Sequence, residues 1–153
     1  MESRSVSLSD FLKEKNLILD DDVLKNNDVI VIPHPTLNTD DVTVIKRLRA
    51  NQKKVHIHDF EERKYSEHRG GEYDLALMFI DKVLLPITVS IVTTWIISTV
   101  KSWKKTKEEV SPKTDTQPPG FKMEFYIKDD KKYVKIEGDA ETALKELKKL
   151  QDD

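Results

Sequence analysis

The sequence predicts an α+β fold in which a βαβ unit, a long apolar helix and a ββα unit form a small mixed sheet covered by helices. The alternative is that the linker divides this sheet in two. Two β-branched runs, at residues 28–33 and 54–59, flank a stretch of helical periodicity. A strongly apolar stretch follows. In the last part of the chain, apolar and polar residues alternate as in a β-hairpin, and an amphipathic helical pattern comes after them. These features divide the chain into five segments: an N-terminal helical extension (1–27), the βαβ unit (28–72), the long apolar helix (73–107), a linker (108–120) and the ββα unit (121–153).

The N-terminal extension is mixed and acidic. Ser7 or Ser9 can cap a short helix, because a serine hydroxyl accepts a hydrogen bond from a backbone N–H of the first helical turn. A second short helical piece is predicted at residues 21–26. The extension contains no apolar core of signal-peptide length, so the sequence predicts a cytoplasmic protein.

The βαβ unit begins with the run DVIVIP, which reads as a buried strand at 28–33. Thr39 precedes two acids and starts a helix at 39–51, where carboxylates near the N-terminus complement the helix dipole. The run KKVHIHDF then supplies a strand at 54–59. A strand, a helix and a strand in such a short length predict two parallel strands joined by a right-handed crossover.

The apolar segment after Tyr73 is predicted as one long helix at 74–103. Pro86 should kink this helix or divide it near residue 82, because proline removes an N–H donor and clashes with the preceding turn. The segment 108–120 contains three prolines and a glycine and is predicted to be a linker.

The C-terminal segment predicts two antiparallel strands, at 121–128 and 132–137, and a helix at 139–150. The apolar positions of FKMEFYIK alternate and so share one face. Tyr126 and Tyr133 are expected to pair across the strands on the exposed face of this hairpin. Asp139 is expected to cap the last helix.

Composition excludes several classes of function. The chain has 153 residues, no cysteine, and 26 Lys and Arg against 28 Asp and Glu, for a net charge of −2. The lack of cysteine excludes disulfides, thiol nucleophiles and cysteine-ligated metals. The slightly negative charge argues against a protein that works by binding nucleic acid.

The run at residues 83–100 has no charged residue and reaches the lower bound for a membrane span. It fits either a core helix of a cytoplasmic protein or a single membrane-spanning helix. Ser90, Thr94 and Ser98 recur every four residues along it. With Trp103, we take this hydroxyl stripe as an interaction seam, because small hydroxyl residues allow another helix to approach closely.

The candidate metal ligands are weak. His34 follows the first predicted strand, and His58 and Asp59 end the second, so all three lie at the carboxyl edge of a parallel pair, where ligands commonly bind. No known metal-ligand spacing is present, and no complete catalytic motif is found. The prediction is therefore no metal, no cofactor and no catalytic residue.

The order of elements resembles the "effector-associated constant component" proteins of bacterial conflict systems. Four stretches carry the resemblance, which covers about residues 42–150: VIKRLRANQKKVHIHDF, GGEYDLALMFIDKVLLP, TWIISTVKSWKKTK and MEFYIKDDKKYVKIEGDAETALKELKKL. This chain departs from the family in the polar Thr and Ser positions of its apolar helix and in its N-terminal extension. The resemblance implies a non-enzymatic accessory protein encoded beside variable effectors, in defence against phage, and provides no catalytic residues.

Three functions follow as hypotheses. The first is an adaptor that couples to an effector or sensor protein through protein–protein contacts, with self-association as a further expectation. The second is a single-pass membrane-anchored component that oligomerises and perturbs the bilayer. The third is a small metal-dependent enzyme that uses the His34 and His58 edge. The absence of a catalytic motif favours the first over the third.

Overall fold

A computed structural model describes residues 1–34, 36–58, 65–66, 72–109 and 118–152. Its strands are β1 (Glu2–Ser5), β2 (Val29–Ile32), β3 (Leu37–Asn38), β4 (Val55–Ile57), β5 (Tyr65–Ser66), β6 (Glu72–Asp74), β7 (Leu77–Ile80), β8 (Gly120–Ile127) and β9 (Lys132–Asp139). Its helices are α1 (Leu8–Glu14), α2 (Asp21–Asn26), α3 (Thr39–Ala50), α4 (Leu85–Glu109) and α5 (Ala140–Asp152).

The main sheet has the order β1-β9-β8-β7-β2-β4, and β6 also pairs with β8. It is mixed: β2 is parallel to β4, β7 is parallel to β8, and β2 runs antiparallel to β7. The short strands β3 and β5 form a separate parallel pair. The predicted α+β class, with a small mixed sheet covered by helices, is confirmed, and β8 and β9 join the same sheet as the βαβ unit.

The βαβ unit forms as predicted, with β2 and β4 in parallel register and α3 between them in the chain. Helix α3 begins at Thr39, and the cap is Asn38, whose side chain accepts a hydrogen bond from the Asp41 N–H. Asp41 returns the bond to the backbone N–H of Asn38, which completes a capping box. Ser7 caps α1, and Asp139 caps α5 by accepting from the Thr142 N–H.

The prediction of one helix from residue 74 is wrong at its start. Residues 72–80 form β6 and β7, and a 3-10 turn at Lys82–Leu84 leads into α4. A short continuous apolar run is compatible with a helix or with a strand buried on both faces, and here the four residues of β7 are all buried. Pro86 causes no kink inside α4, since it lies in the first turn, where proline is tolerated. The predicted division near residue 82 does agree with the turn that precedes α4.

Helices cover both faces of the sheet. One face packs against α3, α4 and α5 through a core that includes Val92, Ile96, Phe125 and Leu147. The other face packs against α1 and α2 around Phe11. The N-terminal extension therefore contributes an edge strand as well as two helices, and forms the second helical layer.

The prediction that Tyr126 and Tyr133 lie on an exposed face is wrong. They pair across β8 and β9 as expected, but they are 0% and 4% exposed. The ring of Phe11 stacks on Tyr126 with centroids 4.7 Å apart and lies 5.3 Å from the ring of Tyr133. Of the predicted linker, residues 110–117 lie outside the described residues, while its first two residues end α4.

Candidate functional site

The outer face of α4 carries most of the predicted interaction seam. Ser90, Thr94 and Ser98 are all exposed to solvent. Trp103 is half-buried and lies nine residues, or about 180° of helical rotation, from Thr94. Trp103 therefore does not belong to the same face as the three hydroxyl residues.

Apolar side chains accompany these hydroxyls. Val83 is 81% exposed and Ile97 is 41% exposed. We call the exposed, uncharged positions between Lys82 and Lys101 the outer strip, which comprises Val83, Pro86, Ser90, Thr94, Ile97 and Ser98.

The hydroxyl of Thr94 contributes little polarity to the outer strip. It donates a hydrogen bond of 3.0 Å to the Ser90 carbonyl of its own helix. Such a bond satisfies the hydroxyl donor within the helix itself. In a chain of which 35% is charged, this surface is unusually neutral.

The inner face of α4 belongs to the core. Trp95 is buried, donates a 3.0 Å hydrogen bond from Nε1 to Oδ1 of Asp40, and packs edge-on against Phe121. These contacts link α4 to α3 and to the sheet. Within the described residues, one helical stretch is long and apolar enough to cross a membrane. It runs from Lys82 to Thr106 and includes the turn before α4. Of its most apolar 18 residues, 44% are buried in the fold.

The two histidines proposed as metal ligands take different positions. His34 follows β2, and its Nε2 lies 3.4 Å from Oε1 of Glu124 on β8. His58 follows β4, and its backbone N–H donates to the Val31 carbonyl. Asp59 lies outside the described residues. The part of the chain that the structure describes contains no group of three His, Asp or Glu side chains that could hold a metal ion.

A polar network surrounds Glu124 on the face of the sheet that α1 covers. Glu124 is only 7% exposed, and the hydroxyl of Tyr133 donates a hydrogen bond to its Oε2. The Nζ of Lys15, at the end of α1, lies 3.9 Å from the same oxygen. Burial, and then the bond to Glu124, raise the pKa of Tyr133, so its hydroxyl remains a donor at physiological pH.

Glu124 and Lys15 line an open pocket of about 530 Å³. Its described lining combines apolar and ionisable side chains: Lys15, Leu17, Ile32, Pro33, His34, Leu77 and Glu124. The volume falls within the range of small-ligand sites, about 300–1,000 Å³. Sequence reasoning identified His34 but missed Glu124, because the covering of this face by α1 places that carboxylate in a pocket.

A second buried carboxylate, Asp41, has a structural role. It accepts a 2.7 Å hydrogen bond from the Ala76 N–H as well as its capping bond, and so ties α3 to the segment before β7. Burial raises its pKa to about 6, and the nearby charges of Asp40 and Asp74 add to the effect. Both its oxygens are already occupied by backbone donors.

Comparisons with protein-family models, with curated proteins and with solved structures find no match to this chain.

Proposed function

We propose that this chain is a non-enzymatic adaptor of a bacterial conflict system, active against phage, which couples to an effector or sensor protein through protein–protein contacts. The observation that carries the adaptor role is the outer strip of α4, a neutral exposed surface on a rigid core helix. The link to conflict systems rests on the resemblance of residues 42–150 to effector-associated constant components.

The chemistry of the outer strip supports a protein partner. Charged residues are depleted from the centres of protein interfaces, because burying an unpaired charge is costly. The strip offers methyl groups and short hydroxyl side chains, and Lys82 and Lys101 bound it at either end. A neutral centre with charged ends matches the usual arrangement of an apolar core and a polar rim.

The test uses as the partner the effector that the proposal expects to be encoded beside this chain. Thr94→Arg places a charge in the middle of the outer strip, and we expect it to weaken the complex by about 3 kcal/mol or more, which is over a hundredfold. Thr106→Arg is the matched control. Thr106 is exposed on the same helix and donates the same type of bond to its own i−4 carbonyl, that of Ser102, but lies beyond the strip.

Isothermal titration calorimetry measures both affinities. Equal affinities for the wild type and Thr94→Arg would reject the outer strip as the contact surface. The absence of any complex with the adjacent effector would reject the coupling itself.

A membrane-anchored component is the second candidate, and the length and apolarity of Lys82–Thr106 favour it. The hydrogen bond from Trp95 to Asp40 and the burial of Val92 and Ile96 favour the cytoplasmic core helix instead. Fractionation of the expressed protein, followed by alkaline carbonate extraction of the membrane pellet, separates the two. Protein that stays in the pellet would support the anchor, and protein in the soluble fraction would support the adaptor.

A further inference from the structure

The two carboxylate oxygens of Glu124 have different surroundings. Oε2 receives the hydroxyl of Tyr133 and lies 3.9 Å from Nζ of Lys15. Among the described residues, Oε1 has one polar neighbour, Nε2 of His34 at 3.4 Å, which is longer than an ordinary hydrogen bond of about 2.7–3.2 Å. Oε1 is thus the acceptor left to face the pocket.

The positive charge of Lys15 is held on the Oε2 side. Its Nζ lies 5.4 Å from the ring centroid of Tyr133 and 5.8 Å from that of Phe11, within the range of cation–π interactions. These aromatic faces and Oε2 together fix the ammonium group beside α1. A second cation can therefore approach Oε1 without displacing Lys15.

The rest of the pocket suits an aliphatic stem. Ile32 and Leu77, neighbours across β2 and β7, lie beside Glu124, and Leu17 and Pro33 complete the apolar lining. The imidazole of His34 is about one-third exposed and offers a flat surface next to Oε1. A carboxylate oxygen, a flat ring and an apolar lining are complementary to a guanidinium group on a chain of methylenes.

We propose that this pocket receives an arginine side chain of a protein partner, with its guanidinium donating to Oε1 of Glu124 and stacking on His34. The inference rests on the proposed adaptor function and adds a second contact, on the opposite face of the sheet from α4. Arginine fits better than lysine, since a planar guanidinium can stack and donate in the same plane, whereas an ammonium group cannot. Arginine is also among the residues enriched at the energetic centres of interfaces.

The test titrates N-acetyl-arginine-N-methylamide into the full chain and follows backbone amide shifts by NMR. We expect saturable millimolar binding that shifts the amides of Ile32, Leu77 and Glu124. The citrulline analogue, which has the same shape without the charge, should bind at least roughly tenfold more weakly, as expected for the loss of a charge-assisted hydrogen bond. Equal binding of the two probes, or no shift in the pocket, would overturn the proposal.

Three variants identify the chemistry. Glu124→Gln retains an oxygen that can accept from Tyr133 and should weaken arginine binding about ten- to hundredfold. Glu141→Gln on α5 makes the same charge change at an exposed site outside the pocket and should have no effect. Lys15→Gln removes a nearby like charge and should strengthen binding severalfold. The opposite pattern, with binding lost in Lys15→Gln and improved in Glu124→Gln, would identify an anion site and overturn the proposal.

Agmatine distinguishes a protein side chain from a free guanidinium compound. Binding of agmatine with no binding of the blocked arginine would indicate a small-molecule site and would overturn the proposed protein contact. The probes need no partner, so this experiment is independent of the Thr94→Arg measurement. Failure here, with a complex that Thr94→Arg disrupts, would reject only the arginine pocket.

Discussion

Substitution of Phe11 by alanine should remove the anchor of the N-terminal layer. Phe11 is fully buried and is the one buried residue of α1. Its ring contacts Tyr126, Tyr133 and Phe79, with centroids 4.7, 5.3 and 5.7 Å away. Loss of a buried phenylalanine costs about 3–5 kcal/mol, since transfer energy and a new cavity both contribute. Three aromatic partners put the expected loss in the upper half of that range.

Chemical denaturation followed by tryptophan fluorescence measures the global loss, because both tryptophans lie in α4 on the opposite side of the sheet. For a domain of this size, a loss of 3–5 kcal/mol lowers Tm by roughly 6–20 °C. Hydrogen exchange should also show that the amides of α1 open more readily. Ile18→Ala is the control: Ile18 is 86% exposed, and the change should stay within about 0.5 kcal/mol.

A loss below about 0.5 kcal/mol for Phe11→Ala would refute the reasoning. It would mean that α1 is not docked and that the tyrosine face of the hairpin is open, as the alternation of the sequence alone predicts. An undocked α1 would also leave Lys15 without the contacts that hold it beside Glu124.

The remaining predictions concern other parts of the fold. Leu147→Ala should cost about 2–5 kcal/mol in denaturation, because Leu147 is fully buried between α5 and the sheet, whereas a loss under about 0.5 would show an undocked helix. Pro86→Ala should change stability by less than about 1 kcal/mol; a gain near 3 would mean that the proline interrupts the helix. Asp41 should titrate near pH 6 by carboxyl NMR rather than near 3.8, and its contribution to stability should fall as the pH rises between these values, because the unfolded state ionises first. His34→Ala and His58→Ala should leave the metal content unchanged in elemental analysis, and stoichiometric metal lost in either variant would favour the enzyme hypothesis.

The sequence predicts best those elements that have one buried face and one exposed face, because their apolar residues then recur with the period of the element. The helices α3 and α5 each bury one face, so their patterns identify both the type of element and its inward side. The strand β7 is different, because Met78 and Ile80 face one core while Leu77 and Phe79 face the other. Burial on both faces removes the alternation, and the run then resembles the apolar helix that follows it.

The pocket around Glu124 could not be predicted for a related reason. Glu124 and Tyr126 share the face of β8 that the hairpin pattern marks as polar, and such a face is normally exposed. Burial there depends on α1, and nothing in the local sequence of α1 specifies which surface Phe11 covers. The available signal was the spacing of Leu8, Phe11 and Leu12, which places three apolar side chains on one face of α1.

The two surfaces of α4 bear differently on the core and membrane interpretations of its apolarity. If α4 left the sheet for a bilayer, its own buried side chains would find lipid, but the sheet residues beneath it would not. Phe121, which packs against Trp95, would then lose this cover, and each large apolar side chain so exposed costs about 1.5–3 kcal/mol. Exposing three or four of them would offset most of a typical stability of about 5–15 kcal/mol. The outer strip differs, because Val83, Thr94 and Ile97 stay exposed to solvent among the described residues. The proposed protein partner would cover these side chains, and such a contact would account for their lack of charge.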